Sequence, residues 1–88
     1  MEAAKRTTGG DSDGGIAQGL SFIGAALAIG LAAIGAGIAL ASGAPAAIGA
    51  VAEDPKSFGK AMIFVALGEA VAIYGFIIAF LMILPTLQ

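Results

Sequence analysis

One carboxylate stands apart from every other charge in this sequence. Glu69 sits among Val65, Ala66, Leu67, Gly68, Ala70, Val71, Ala72 and Ile73; the nearest charged residue before it is Lys60, and none follows it. A charged side chain at the centre of a membrane helix costs roughly 2.5 to 3.5 kcal/mol on insertion scales, so an intramembrane acid is a functional candidate by default. Hydrocarbon without a cationic partner favours the neutral, protonated carboxyl; water or a nearby cation favours the ionised one. A group poised between those forms can pick up a proton in one place and release it in another. The competing role is assembly glue, a hydrogen bond to a neighbouring helix, which Gln would supply at lower cost. Tyr74 follows five residues later. Its hydroxyl reaches the carboxyl only at the edge of helical geometry or from an adjacent copy, and a lone aromatic also serves as a packing residue.

Little else in the chain can do chemistry. Cys and His are both absent, which removes disulfides, thiol nucleophiles, imidazole bases and the usual transition-metal ligands together. No resident metal or cofactor is expected, and no catalytic residue. The formal net charge of −2 supplies no basic footprint for nucleic acid.

The elements that must hold Glu69 follow from composition. A hydrophobic content of 59% in 88 residues, with 11% charged and a mean hydropathy of +1.01, lies outside the range of soluble domains. No ionisable side chain occurs between Asp13 and Glu53, and after Lys60 the only acid is Glu69. At roughly 20 apolar residues per crossing, two spans fit and three do not. The expected organisation is a flexible polar tail at 1–15, a first transmembrane helix at 16–52, a polar loop at 53–57 and a second transmembrane helix at 58–85. The tail lacks the apolar run of a signal peptide, because Lys5 and Arg6 are followed by Thr7, Thr8, Gly9 and Gly10. The first uncharged stretch exceeds one crossing, so its helix either projects beyond the bilayer or bends, with Pro45 as the natural bend.

The two spans carry different surfaces. In the first, Leu27, Leu31, Ile34 and Ile38 recur at spacings of four, three and four and form one bulky stripe. Gly30, Ala33, Gly37 and Ala41 form a smooth one. Further small residues, among them Gly24, Ala28, Gly35 and Ala39, exceed what one partner helix can contact, and small residues let membrane helices approach closely. The sequence therefore predicts an oligomer. The second span is thick, with Phe64, Leu67, Ile73, Tyr74, Phe76, Ile77 and Phe80. A thin helix beside a thick one makes a wedge, and wedges repeated about an axis close into a ring, thin helices inside and thick ones outside. The fold class expected is thus an all-α membrane protein, a two-helix hairpin assembling into a homo-oligomeric ring.

Between the spans, Glu53, Asp54, Pro55 and Lys56 lead into Ser57 as a polar turn, with Pro55 ending the first helix. Lys56 and Lys60 favour a cytoplasmic loop and outward termini in the cell membrane, although Lys5 and Arg6 reduce the contrast. The turn serves either as a solvated connection or as a docking surface for soluble partners.

Four segments together resemble a known family. Ala32-Ala33-Ile34-Gly35-Ala36-Gly37-Ile38-Ala39, then Ala52-Glu53-Asp54-Pro55, then Phe58-Gly59-Lys60-Ala61, and Leu67-Gly68-Glu69-Ala70-Val71-Ala72-Ile73-Tyr74-Gly75 are similar to the rotor-ring proteolipid of archaeal-type and vacuolar-type ATP synthases. The resemblance covers about residues 20 to 84. It implies a ring of identical hairpins in the lipid bilayer, turning against a membrane stator subunit whose essential arginine displaces the ion held at the position of Glu69. It also implies docking of soluble central-stalk subunits on the Glu53–Lys56 loop. Coupling to ATP synthesis or hydrolysis would occur in a soluble head, leaving this chain non-catalytic.

The chain departs from that family at points that bear on the ion. Gly68 stands where many relatives carry proline before the acid. Sodium-binding members place Gln on the first helix at the level of Leu40 and hydroxyl or amide groups beside the acid, where this chain has Ala70 and Val71. A sodium ion needs several oxygen ligands, so these apolar residues favour a proton as cargo, with Leu40, Ala70 and Tyr74 as supporting residues of the site. Ser42 keeps the sodium reading open. A third reading is a small pore-forming or structural membrane oligomer, which would need no acid at mid-depth.

Overall fold

The structure is a computed structural model that describes residues 11–87. Helix α1 spans Asp11–Glu53 and helix α2 spans Phe58–Ile83. A 3-10 turn, Pro55–Ser57, joins them, and a second, Leu84–Leu87, follows α2. Both helices are long and apolar enough to cross a membrane.

Helix α1 begins five residues before the start at residue 16 that the sequence suggests, and takes in Gly14 and Gly15. Each glycine costs about 1 kcal/mol in a helix interior, but extending an existing helix is far easier than nucleating one. Asp13, in the first turn, also complements the positive end of the helix dipole. Residues 1–10 of the expected tail lie outside the described residues.

At its other end α1 runs unbroken through Pro45. Proline leaves the Ala41 carbonyl without its N–H partner, a loss membrane helices tolerate. At about 1.5 Å per residue the 43 residues of α1 extend about 64 Å, close to the 68 Å longest dimension of the molecule. The helix is thus unbroken at Pro45 and longer than one crossing requires. Ile83 shares a groove with Phe22, so the turns of α1 before Phe22 run past the end of α2.

The helices meet along a seam of small residues. On α2 the covered positions are Ala61, Val65, Gly68, Ala72, Gly75, Ala79 and Met82, alternately four and three apart, the spacing of a helix that keeps one face on its partner. On α1 the buried residues are Ala25, Ala36 and Ala47, three turns apart each time. The register follows from three glycines: Gly68 lies against Leu40 and Ala39, Gly75 against Ala28 and Ala32, and Gly24 against Met82. Among the described residues none larger than alanine is fully covered, and Leu27, Leu31, Ile34 and Ile38 remain 53–70% exposed on the side of α1 away from α2. A hairpin with so little core of its own gains most of its stability from what surrounds it.

The turn is compact. The Asp54 N–H donates to the Ala50 carbonyl at 2.9 Å, and Ser57 donates to the Asp54 carbonyl from both its N–H and its hydroxyl, at 2.9 and 2.7 Å. The Asp54 carboxylate accepts from the Lys56 N–H at 3.1 Å, capping the 3-10 turn while Pro55 occupies its first position. Beyond α2, the Thr86 hydroxyl donates to the Ile83 carbonyl at 2.6 Å. Replacing Asp54 with Ala should lower hairpin stability by about 1 kcal/mol, the usual value of such a cap. Helix loss followed by circular dichroism during a sodium dodecyl sulfate titration measures it, and Asp54→Asn should recover most of the difference.

Candidate functional site

Glu69 stands 11 residues past Phe58 and 14 before Ile83, about 17 and 21 Å along α2, close to the middle of the span. Local sequence makes this stretch helical without difficulty, since Ala and Leu are strong helix formers and the one glycine, Gly68, is turned onto α1. That packing fixes the depth of the acid on the partner helix: Gly68 abuts Leu40 and Ala39, so Glu69 is level with Ala39.

The hairpin has two distinct flanks. One carries a recess lined by Gly43, Ala46, Ala47 and Ala50 of α1 with Ser57, Lys60, Ala61 and Phe64. The other carries grooves lined by Ile48, Val51, Ala52, Phe58 and Met62 near the turn, and by Phe22, Ala26, Phe76 and Phe80 among others toward the far end. Successive residues of a helix turn about 100°. Glu69 is seven residues from both Met62 and Phe76, and therefore lies on the second flank, which we call the carboxylate flank. Lys60, Phe64, Leu67, Val71, Tyr74 and Ile78, at spacings of four and three, share the first, or lysine, flank. Glu69 is exposed in the isolated hairpin. At its level on the carboxylate flank, α1 offers Gly37 and Ala41, also exposed, so the carboxyl has room beside it.

The residues singled out in the sequence are not all gathered at Glu69. Tyr74 lies about 140° around α2 from Glu69, on the lysine flank, so within one hairpin the two occupy opposite sides. Ala70 is exposed on the side of α2 away from α1. Leu40 is half-buried between the helices, its Cδ2 atom 3.1 Å from where a Cβ on Gly68 would stand. Ser42 is exposed and falls on the lysine flank of α1. Glu53, Asp54, Pro55 and Lys56 are exposed together at the turn, about 20 Å along the helix from the acid. Two glycines acquire roles that reading residue types alone misses. Gly68 seats Leu40 and Gly75 brings the helices into backbone contact; their separation of seven residues, two turns on one face, is the signal that could have found them.

These features define an integral membrane hairpin built around one carboxylate at mid-depth. The chain belongs to the ATP synthase C-subunit family, which matches residues 23–82, well over half of its length. It is 42% identical over 73 residues to the V-type sodium ATPase subunit K of Enterococcus hirae, covering 83% of this chain and 47% of that protein. It is 56% identical over 61 residues to the A-type ATP synthase subunit K of Sulfolobus acidocaldarius and 54% identical over 61 residues to that of Sulfurisphaera tokodaii, in each case covering 69% of this chain and 60% of the relative. The chain thus spans about half the length of the curated relatives it matches. Family membership makes it a non-catalytic membrane subunit, and assembly of the hairpin with copies of itself is typical of the family.

Proposed function

We propose that this chain is the proton-carrying rotor-ring subunit of a membrane ATP synthase, with reversible protonation of Glu69 as its working step. The observation that carries the reading is the placement of a single carboxylate at mid-span, where at its own level α1 presents the small residues Gly37 and Ala41 on the same flank. Protonated, such a group crosses the lipid face at little cost; ionised, it needs water or a cation. Its partners in this reading are identical copies in a ring, a membrane stator subunit that meets Glu69 with an arginine, and soluble central-stalk subunits on the Glu53–Lys56 turn. The thin α1 lines the inside of the ring and α2 the outside. The protein sits in the cell membrane with the turn in the cytoplasm and both termini outward, as Lys56 and Lys60 suggest. Tyr74, on the lysine flank, serves the Glu69 of the next copy rather than its own.

The choice of a proton over sodium rests on the surroundings of the acid. Leu40 fills the space against Gly68 with hydrocarbon, and Ala70 and Val71 add no oxygen ligand. A sodium ring is the second reading, favoured by the sodium in the name of the Enterococcus hirae relative and by Ser42. Labelling of Glu69 by a hydrophobic carbodiimide separates the two. The reagent attacks the protonated acid, so labelling should fall as pH rises and should not change when sodium is added at fixed pH. Protection by sodium would overturn the proton assignment and leave the rotor ring standing.

A further inference from the structure

The recess on the lysine flank has a shape that points to its occupant. Gly43, Ala46, Ala47 and Ala50 stand at positions i, i+3, i+4 and i+7 of α1, the outline of a hole that receives one side chain from a facing helix. No side chain among the four exceeds a methyl, and they leave about 350 Å³ open against Lys60, Ala61 and Phe64. On the opposite flank, about 150° around α1, stands Ile48, 66% exposed and the one large aliphatic residue between Leu40 and Val51. Helical side chains lean toward the N-terminus, so each covers a spot about one residue back. In a neighbouring helix running parallel and in register, Ile48 therefore arrives at the level of Ala46 and Ala47, where Ala47, already covered by α2, forms the floor of the hole and Gly43, Ala46 and Ala50 are its exposed walls.

We infer that Ile48 of one copy seats in the Gly43/Ala46/Ala47/Ala50 hole of the next. The contact is one-way, knob on the carboxylate flank and hole on the lysine flank, which is the kind of interface that repeats around a ring. It is also continuous with Gly35 and Ser42, which are exposed on the same flank of α1. An unfilled hole would forfeit the dispersion contacts of its lining. This inference rests on the ring assembly proposed above.

The chain has no cysteine of its own, so a pair can be introduced cleanly. In native membranes, the full-length Ile48→Cys/Ala46→Cys variant, oxidised with copper phenanthroline, should give a ladder of dimers, trimers and higher species on a denaturing gel. Each single variant should stay monomeric, because its thiols all lie on the same flank of their copies and only one stands at each contact. A double variant that yields only monomer, while native mass measurement shows an intact oligomer, overturns the knob-and-hole contact, leaves the ring in place and assigns the hole to another occupant such as an acyl chain. Absence of any oligomer of the unmodified chain overturns the ring and the inference together. As an independent check, Ala46→Leu should reduce the oligomer surviving mild heating in detergent roughly tenfold, the scale of one overpacked position, and Ile48→Ala in the same chain should restore it. A double variant no better than Ala46→Leu alone counts against the contact.

Discussion

Glu69→Gln is expected to reduce ion-coupled ATP synthesis to background while leaving the oligomer assembled. Gln keeps the length, shape and hydrogen-bonding capacity of the protonated acid, and it enters a membrane helix at lower cost than a charge, so neither insertion nor packing should suffer. What it cannot do is ionise. Moving one charge through 100 mV supplies about 2.3 kcal/mol, and a ring whose every carboxyl is neutral moves none, so each step of rotation loses its drive. The loss should be complete, since no other acid lies between Asp13 and Glu53 or after Lys60 to substitute. ATP synthesis in proteoliposomes under an imposed proton gradient, beside the mass of the intact oligomer, measures both halves of the expectation. Coupling that survives the substitution would reduce Glu69 to an assembly residue, and an oligomer that dissolves would make the glue role the main one. Glu69→Asp is the informative intermediate: it keeps the acid but withdraws it by one methylene, and should retain part of the activity.

How much of this could be read from residue order alone varies with the kind of information each feature needs. The two spans, the turn at Glu53–Ser57 and the isolation of Glu69 are one-dimensional facts, because hydropathy and charge positions fix them. The start of α1 is not such a fact. Gly14 and Gly15 read as loop residues, and only the continuity of a helix already formed downstream draws them in. Pro45 shows the same limit from the other side, since the sequence leaves open whether it interrupts the helix, and the helix runs through it unbroken for 43 residues. The flank assignments needed the register between the helices. Tyr74 and Glu69 are near neighbours in sequence yet lie on opposite sides of the hairpin, because five residues turn a helix by well over a third of a circle beyond one full turn. Leu40 shows the gain from structure in the opposite direction: its level beside the acid is legible, but the reason it fits there is the missing Cβ of Gly68.

Gly75 should be the least replaceable glycine among the described residues. A Cβ placed there would stand 2.5 Å from the Ala32 Cβ and 2.6 Å from the Ala28 carbonyl oxygen, and backbone of a packed helix cannot swing aside as a side-chain tip can. At Gly24 the near neighbour is instead the Cε of Met82, at 2.6 Å, the end of a flexible thioether that can choose another rotamer. At Gly68 the obstacle is the Leu40 Cδ2 at 3.1 Å, which must yield by a few tenths of an ångström. Ala favours a helix over Gly by about 1 kcal/mol, whereas overpacking costs about 1 to 3 kcal/mol. Gly24→Ala should therefore be neutral or slightly stabilising, Gly68→Ala close to neutral, and Gly75→Ala destabilising by about 1 to 2 kcal/mol in a sodium dodecyl sulfate titration. Gly75→Leu, which needs far more room than a methyl, should force α2 off α1 and prevent assembly. Equal tolerance at Gly24 and Gly75 would mean that the helices do not meet in this register. The contrast with Glu69→Gln is informative in itself: Gly75→Leu should lose the oligomer and coupling together, because spreading the helices removes the surface that holds the acid. Glu69→Gln should lose coupling alone.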